Sequence, residues 1–333
     1  MREFWNGRKA LVTGAAGFIG RQLVAELHRL GAVVRAFVRA GGTTFEPADA
    51  GIEILAGDLL DGADCRKAVQ GVDTVFHAAA VYRSFRLTRR EMREVHVDAT
   101  RQLLRESSAA GVRRFVHLST IDVHGGLQVE VADETAAMRP EDDYQLTKLE
   151  GEQLVEALCR ELGLPCTILR PCSVYGPGET RFMKFIRPIS RGRFVMVGAG
   201  EAHVHFVYVD DLVQGMLLAA EKDEAVGETF IIGGPRSYSL NEFARIVANV
   251  LGVRRPGFRV PLWPVYQASV ACAKLFGALR LEPPLHPRRV AFFTKHRSFS
   301  NEKARRLLGY EPQTGLESGL RKQIAWLRER GYM

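Results

Sequence analysis

The chain has 333 residues, of which 46% are hydrophobic and 25% charged, with a formal net charge of +8. These proportions exclude a disordered chain and fit one large or two smaller globular domains around a substantial core. The positive balance would suit nucleic acid, an anionic membrane or a phosphorylated ligand, but the arginines are spread along the whole chain and no aromatic-and-basic motif accompanies them, so nucleic acid is set aside.

The opening "MREFWNGRKALVTG" runs straight into an apolar run without a charged-then-apolar leader pattern, so a cytoplasmic protein is expected. The cysteines (Cys65, Cys159, Cys166, Cys172, Cys272) are scattered with no C-x-x-C pair, as expected of free thiols in a reducing compartment. The first strand, "KALVTG", is followed by Gly14, Gly17 and Gly20, set three apart ahead of a helix at 20–30. A glycine cluster means that the backbone turns tightly or that something approaches it closely. Between a strand and a helix, the loop N–H groups and the helix start at Phe18, Ile19 and Gly20 offer a site for a dinucleotide pyrophosphate.

The second strand, "VVRAFVR", ends on Val38 and Arg39, where NAD-binding proteins carry an acidic residue for the ribose hydroxyls. An arginine suits a 2′-phosphate by charge and bidentate geometry, so NADP is expected, with NAD as the fallback. Arg35, on the same strand face by parity, is a candidate helper. After the third strand, "IEILAGDL", Asp58 is placed to meet the adenine amino group. A helix at 64–70, the strand "DTVFHAAA", a helix at 91–110, the strand "RRFVHLST", a helix at 144–162 and the strand "CTILRP" complete the alternation. Strands alternating with helices predict an α/β, Rossmann-like doubly wound parallel sheet over 1–171.

Beyond Pro171 the rhythm changes. Residues 172–205 and 235–333 read as a smaller C-terminal substrate-binding lobe, with 206–234 returning to the main sheet through the strand-like runs 206–209 and 230–232. The apolar stretch 260–279 is interrupted by Pro261, Pro264, Gln267, Ser269 and Lys274 and falls short of the ~20 apolar residues of a membrane span. It is expected to be a buried helix or pocket wall, with peripheral membrane contact, helped by Arg254, Arg255, Arg259 and Arg280, as the alternative.

The second chemical signal is "DDYQLTKLEGEQL". Tyr144 and Lys148 are four apart, hence stacked on one helix face. A phenol with its pKa near ~10 is a poor acid–base group at neutral pH, and an ammonium within reach lowers that value. Ser119 and Thr120, at a strand end where open α/β sheets bind ligands, supply a hydroxyl for the substrate oxygen. His203 and His205, with Asp210 and Asp211 nearby, offer imidazole and carboxylate groups of the kind that bind metals; pocket lining or surface is the expectation, and no metal is assigned.

Over nearly its full length the chain resembles the extended short-chain dehydrogenase/reductases of the NAD-dependent epimerase/dehydratase superfamily. The matching motifs are T-G-x-x-G-x-x-G at 13–20, "HAAA" at 77–80, the hydroxyl strand, Y-x-x-x-K and "RPCSVYGPG" at 170–178. The resemblance implies Thr120 as the catalytic hydroxyl with Ser119 its neighbour, Tyr144 exchanging a proton with a carbinol oxygen, and Lys148 holding the nicotinamide ribose. It also implies cofactor contacts from Leu59, Ala78, Ala79, Ala80, Tyr144, Lys148 and Pro171, and a homodimer through the helices at 91–110 and 144–162. His96 stands in "HVDAT" where the family motif has asparagine, and His124 where relatives often have a substrate-facing tyrosine.

Among the branches, 4,6-dehydratases carry Thr-Asp-Glu where this chain has Thr120, Ile121 and Asp122, and isoleucine cannot donate a proton. Sugar-nucleotide epimerases often carry an arginine where Val204 falls, with Arg181, Arg187 or Arg193 as substitutes. The stretches "VRAFVR", "HFVYVDDLVQGMLLAAE" and "HRSFSNEKARRLLGYEP" resemble the 3β-hydroxysteroid dehydrogenase, sterol dehydrogenase and dihydroflavonol reductase branch. The expected activity is therefore NADP(H)-dependent hydride transfer on a secondary alcohol or ketone of an apolar small molecule. A nucleotide-sugar epimerase with retained NAD is the alternative. A non-enzymatic regulator sensing NADP is a third reading, against which the intact Thr120–Tyr144–Lys148 set argues.

Overall fold

A computed structural model describes residues 1–42, 51–83, 87–278 and 283–333. Its strands are β1 (Lys9–Thr13), β2 (Val33–Arg39), β3 (Glu53–Gly57), β4 (Thr74–His77), β5 (Arg114–Leu118), β6 (Cys166–Pro171), β7 (Ser173–Tyr175), β8 (Met196–Val197), β9 (His203–Tyr208), β10 (Thr229–Ile232), β11 (Ser237–Ser239) and β12 (Arg259–Val260). Seven of them form one sheet in the order β10-β6-β5-β4-β1-β2-β3, and every pairing in it is parallel. Strand order reverses between β1 and β4, and the crevice at such a switch point is where open α/β sheets take ligands.

Both faces of the sheet are covered, which is why its strands read as continuous apolar runs and not as alternating ones. Val12, Phe76, Val116 and Leu169 pack with Leu23, Val24, Leu27 and Leu212 on one face. Their sequence neighbours Leu11, Val75, Phe115 and Ile168 pack with Val69, Leu103, Leu104 and Val155 on the other. The period-two alternation of strand side chains thus divides adjacent apolar residues between two helical layers. The helices Phe18–Arg29 and Val209–Glu221 supply the first layer, and Gly62–Val69, Ala99–Ala109 and Asp143–Leu162 the second.

The return of the chain after residue 206 differs from expectation. Only β10 rejoins the main sheet, parallel to β6. β9 lies instead between β7 and β11 in a separate three-stranded sheet, parallel to the first and antiparallel to the second. With β10 occupying the place beside β6, β9 pairs with β7, the short continuation of the chain past Cys172. That small sheet backs a second core in which Phe206 stacks on Phe243 at 4.8 Å between ring centres, with Ile186, Val247, Leu320 and Ile324 packed in the same cluster.

A second correction concerns 260–279. The segment forms a helix, Leu262–Ala278, but it is not buried: Trp263 is 72% exposed and Leu275 61%. Leu279 and Arg280 lie outside the described residues. Apolar residues all round a helix normally signal burial, and here the sequence pattern had no polar face from which its true setting could be read. Among the described residues, no helix is long and apolar enough to cross a membrane.

Candidate active site

The loop after β1 explains its glycines. Gly14 has φ +69°, and a Cβ on it would lie 2.8 Å from the backbone of Ala78 and Ala79. A Cβ on Gly20 would lie 2.2 Å from Gly14 O. Hence the first glycine lets the loop press against the end of β4, and the third lets the helix press against the loop. The helix Phe18–Arg29 starts at Gly17 with no side-chain cap and no acidic residue in its first turn, so its first N–H groups point out of the loop free of a carboxylate. A backbone cradle of this kind suits a pyrophosphate, and the residues present therefore fit a dinucleotide.

The other expected cofactor residues line the same C-terminal edge of the sheet. Arg39 ends β2, exposed and without an ion pair or hydrogen bond from its side chain among the described residues. Asp58 follows β3; it is exposed and its Oδ1 accepts from Leu60 N at 3.0 Å. Leu59 turns its side chain into the core beside Phe37 and Cys65. Ala78, Ala79 and Ala80 follow β4, and Ala79 N donates to Thr13 Oγ1 at 3.3 Å. Pro171, buried, ends β6. Arg35 does not belong to this edge. Its guanidinium is held by Glu53 at 2.8 Å and by the carbonyls of Lys67, Ala68 and Gln70 at the end of the helix Gly62–Val69.

Asp142 caps the helix Asp143–Leu162 through a bond from Gln145 N, which sets Tyr144 in its first turn and Lys148 one turn on. Both are buried, at 8% and 3% exposure. Lys148 Nζ donates to Leu118 O at 2.7 Å, so the lysine ties this helix to the end of β5. Burial pulls the ammonium down from 10.5 to about 8, against a smaller upward pull from Glu152. Burial pushes the Tyr144 phenol up, and Asp122 and Tyr82 add to that, while Arg83 and Arg181 oppose it. The cations that act on the phenol in this structure are therefore the two arginines, where the sequence pointed to the lysine.

Those arginines, with Tyr82 and Asp122, form a ring of polar groups around Tyr144. Arg83 sits 4.8 Å over the Tyr144 ring and is fixed by Asp122 at 2.8 Å and Asp142 at 2.7 Å. Tyr82 meets Tyr144 edge-on at 5.2 Å between ring centres, and Arg181 lies 4.7 Å over the Tyr82 ring. Sequence reasoning missed Tyr82 and Arg83. The available signal was their position directly after "HAAA", where the chain leaves β4 at the switch-point edge.

The two hydroxyls at the end of β5 have different surroundings. Ser119 Oγ donates to Glu152 Oε2 at 2.6 Å and is thereby committed to a buried pair between Glu152 and Arg170, both at 5% exposure or less. Thr120 Oγ1 accepts from Asp122 N at 3.1 Å, which caps the short turn Ile121–His124 and leaves its own hydrogen to give. His124 is not a pocket residue. It is 1% exposed, with Nε2 at 3.2 Å from Arg170 Nη1 and its ring against Phe299.

Residues 10–233 match the NAD dependent epimerase/dehydratase family. The chain belongs to that family. Among its relatives it is 35% identical over 320 residues to a "3 beta-hydroxysteroid dehydrogenase/Delta 5-->4-isomerase" of Mycobacterium tuberculosis, across 91% of this chain and 86% of the relative. The crystal structure of gox2253 superposes with a TM-score of 0.84 at 30% identity, covering 98% of this chain and 100% of that one. MoeE5 in complex with UDP-glucuronic acid and NAD superposes with a TM-score of 0.77 at 28% identity, covering 97% and 99%. The chain is thus an NAD(P)-dependent enzyme of the epimerase/dehydratase family, an oxidoreductase with sterol-type dehydrogenase relatives.

Within this epimerase/dehydratase frame, His96, where the family motif has asparagine, is held at both ring nitrogens. Its Nδ1 meets Thr147 Oγ1 at 2.9 Å and its Nε2 meets Val81 O at 3.0 Å, so the ring links the chain after β4 to the tyrosine helix. It lies on a π-turn, Glu94–Asp98, and a Cβ on Gly151 would come within 2.4 Å of its carbonyl, which shows how closely the two helices approach. His117 is buried, with neither ring nitrogen bonded among the described residues; burial, then the nearby Lys148, drives it well below the ordinary histidine range.

The remaining candidates lie elsewhere. Val204 is buried in the second core. Arg187 and Arg193 line an outer cleft with Lys184 and Arg191, whereas Arg181 stands at the Tyr144 ring. His205 bonds Gly234 O at 3.0 Å and His203 stacks on His296.

Proposed function

We propose that the chain is an NADP(H)-dependent dehydrogenase/reductase that interconverts a secondary alcohol and a ketone on an apolar, sterol-like or other lipid- or flavonoid-like small molecule. The observation that carries this is the buried Tyr144–Lys148 turn, tied through Leu118 O to the strand end that bears Thr120. The loop Gly14–Gly17–Gly20 and the helix start at Phe18 and Ile19 would hold the pyrophosphate, Asp58 the adenine, and Arg39 the 2′-phosphate. Leu59, Ala78, Ala79, Ala80 and Pro171 would border the rest. Hydride exchange at the carbinol carbon is the chemistry that a nicotinamide dinucleotide supplies when bound.

The proton belongs to the protein. Burial keeps Tyr144 Oη protonated at neutral pH, so it is poised to donate to a ketone oxygen. Thr120 Oγ1, already accepting from Asp122 N, has its hydrogen free to steady the same oxygen. Lys148 spends one N–H on Leu118 O and keeps others for a ribose hydroxyl. The apolar substrate class is supported by the 35%-identical steroid dehydrogenase relative and by Val204 where sugar-nucleotide enzymes often carry arginine.

Arg181 beside Tyr144 and the UDP-sugar and NAD in the MoeE5 complex favour the second reading, an epimerase with retained NAD. The two are separated by cofactor fate: a dehydrogenase forms NADPH from NADP+ stoichiometrically with a 3β-hydroxysteroid, or consumes NADPH with its ketone, and an epimerase leaves free cofactor unchanged. Stoichiometric turnover lost in Tyr144→Phe supports the proposal; interconversion of UDP-sugars without net NADPH change overturns it. The proposal extends to a homodimer through 91–110 and 144–162, testable by sedimentation.

A further inference from the structure

The helix Leu262–Ala278 is apolar nearly all round, with Lys274 its one charged residue. Among its described side chains only Ser269 is classed as buried, and its main neighbour is the short helix Pro287–Ala291. Trp263 is 72% exposed, Tyr266 46%, and Phe258, just before β12, 67%. An apolar helix in this condition needs something to cover it.

Charge identifies the cover. From residue 243 to 281 the chain contains Arg245, Arg254, Arg255, Arg259, Lys274 and Arg280 and not one Asp or Glu. Arg254 and Arg255 are exposed and make no ion pair among the described residues. Among the described residues Arg259 bonds only neutral acceptors, Ala199 O and Asn241 Oδ1. Val253, next to Arg254, lines a cleft with Arg187, Arg191 and Arg328, so the basic surface continues beyond the helix. A second copy meeting this surface face to face would bring arginines to arginines, because a two-fold contact is self-complementary and this stretch has no carboxylate to offer. Nor is the helix long and apolar enough to cross a bilayer.

We propose that Phe258, Trp263, Tyr266 and Leu275, with Arg254, Arg255 and Arg259, form a docking face for the surface of an anionic lipid bilayer, the helix lying in the interface. Tryptophan and tyrosine favour the headgroup level, and arginines beside them gain from anionic lipid. This face is independent of the hydride-transfer reading and is tested without it.

The full-length protein is mixed with vesicles of phosphatidylcholine, or of phosphatidylcholine with phosphatidylglycerol, and recovered by co-sedimentation. Recovery with the anionic vesicles should exceed that with neutral ones and fall as salt is raised. R254E/R255E, and separately F258S/W263S, should each lower partitioning by about tenfold or more. All four positions are exposed, so circular dichroism should show unchanged folding. Of the three tryptophans, Trp5 is buried, Trp326 is partly buried against the second core and Trp263 is 72% exposed, so a blue shift of tryptophan emission on adding anionic vesicles should vanish in Trp263→Phe. Equal recovery on both vesicle types, or none on either, overturns the proposal. So does a dimer in solution that F258S/W263S converts to monomer while vesicle binding stays absent, which would assign the face to a second copy.

Discussion

Replacing Lys148 by methionine should stabilise the cofactor-free protein near neutral pH while removing its activity. Burial lowers the lysine from 10.5 to about 8, and at about 1.4 kcal/mol per tenfold change in proton affinity this corresponds to an unfavourable contribution of about 3 kcal/mol below pH 8. Methionine fills a similar volume with no charge to desolvate. Against that gain stands the lost bond from Nζ to Leu118 O at 2.7 Å, worth about 1–2 kcal/mol when the acceptor is left behind in a buried place. The balance is about 1–2 kcal/mol in favour of the variant at neutral pH.

The sign of the pH dependence follows from proton counts. Between about 8 and 10.5 the unfolded lysine carries a proton that the folded one has lost, so wild-type stability rises through that window relative to the variant. The stabilisation of Lys148→Met should therefore be largest at and below pH 8, shrink as pH rises, and reverse sign between about 9 and 10, before the unfolded lysine itself titrates at 10.5. Urea unfolding of both proteins at several pH values measures the gap directly. A variant less stable than wild type at neutral pH, with a gap that does not change toward alkaline pH, would refute the buried-ammonium reasoning.

Tyr144→Phe should lower turnover by about 10²–10⁴-fold with little change in cofactor affinity, checked by steady-state kinetics beside a cofactor titration. Because burial raises the phenol, ketone reduction should hold level through neutral pH and decline only in alkali, while alcohol oxidation should rise with pH; the opposite pair of profiles would exclude Tyr144 as the proton carrier. Arg39→Asp should reverse a preference for NADP over NAD by about tenfold or more in each direction, and equal affinities in the parent protein would remove the NADP assignment. Glu152→Gln leaves Arg170 buried without its carboxylate and should cost about 3–5 kcal/mol in denaturant melts, with much of the loss recovered when Arg170→Met is added. His117→Leu, which removes two unbonded buried ring nitrogens, should stabilise the protein by about 1–3 kcal/mol; a destabilised variant would mean that those nitrogens are bonded in solution.

Much of the fold was legible because its signals are local. Strand and helix periods alternate cleanly up to Pro171, and Gly14, with positive φ, and Gly20 sit where close backbone approach admits no side chain. The Tyr144–Lys148 pair was legible for the same reason, since a four-residue spacing on a helix needs no tertiary information. Other features depend on which distant segment arrives. Arg35 and Arg39 share a strand face, yet Arg35 lies four residues nearer the strand's start and is absorbed by Glu53 and a helix end. His124 reads as a pocket residue until Arg170 and Phe299 are seen to enclose it.

The amino-acid order alone therefore determined the doubly wound sheet, the tight glycine loop after β1 and the stacking of Tyr144 and Lys148 on one helix, because each is written in short-range steric rules and in spacing along one element. Tertiary structure decided which charges surround the Tyr144 phenol, where β9 pairs, and that the helix at 262–278 faces outward. Those outcomes turn on desolvation and on the neighbours that long-range packing supplies, and neither quantity is a property of a residue in its own stretch of chain.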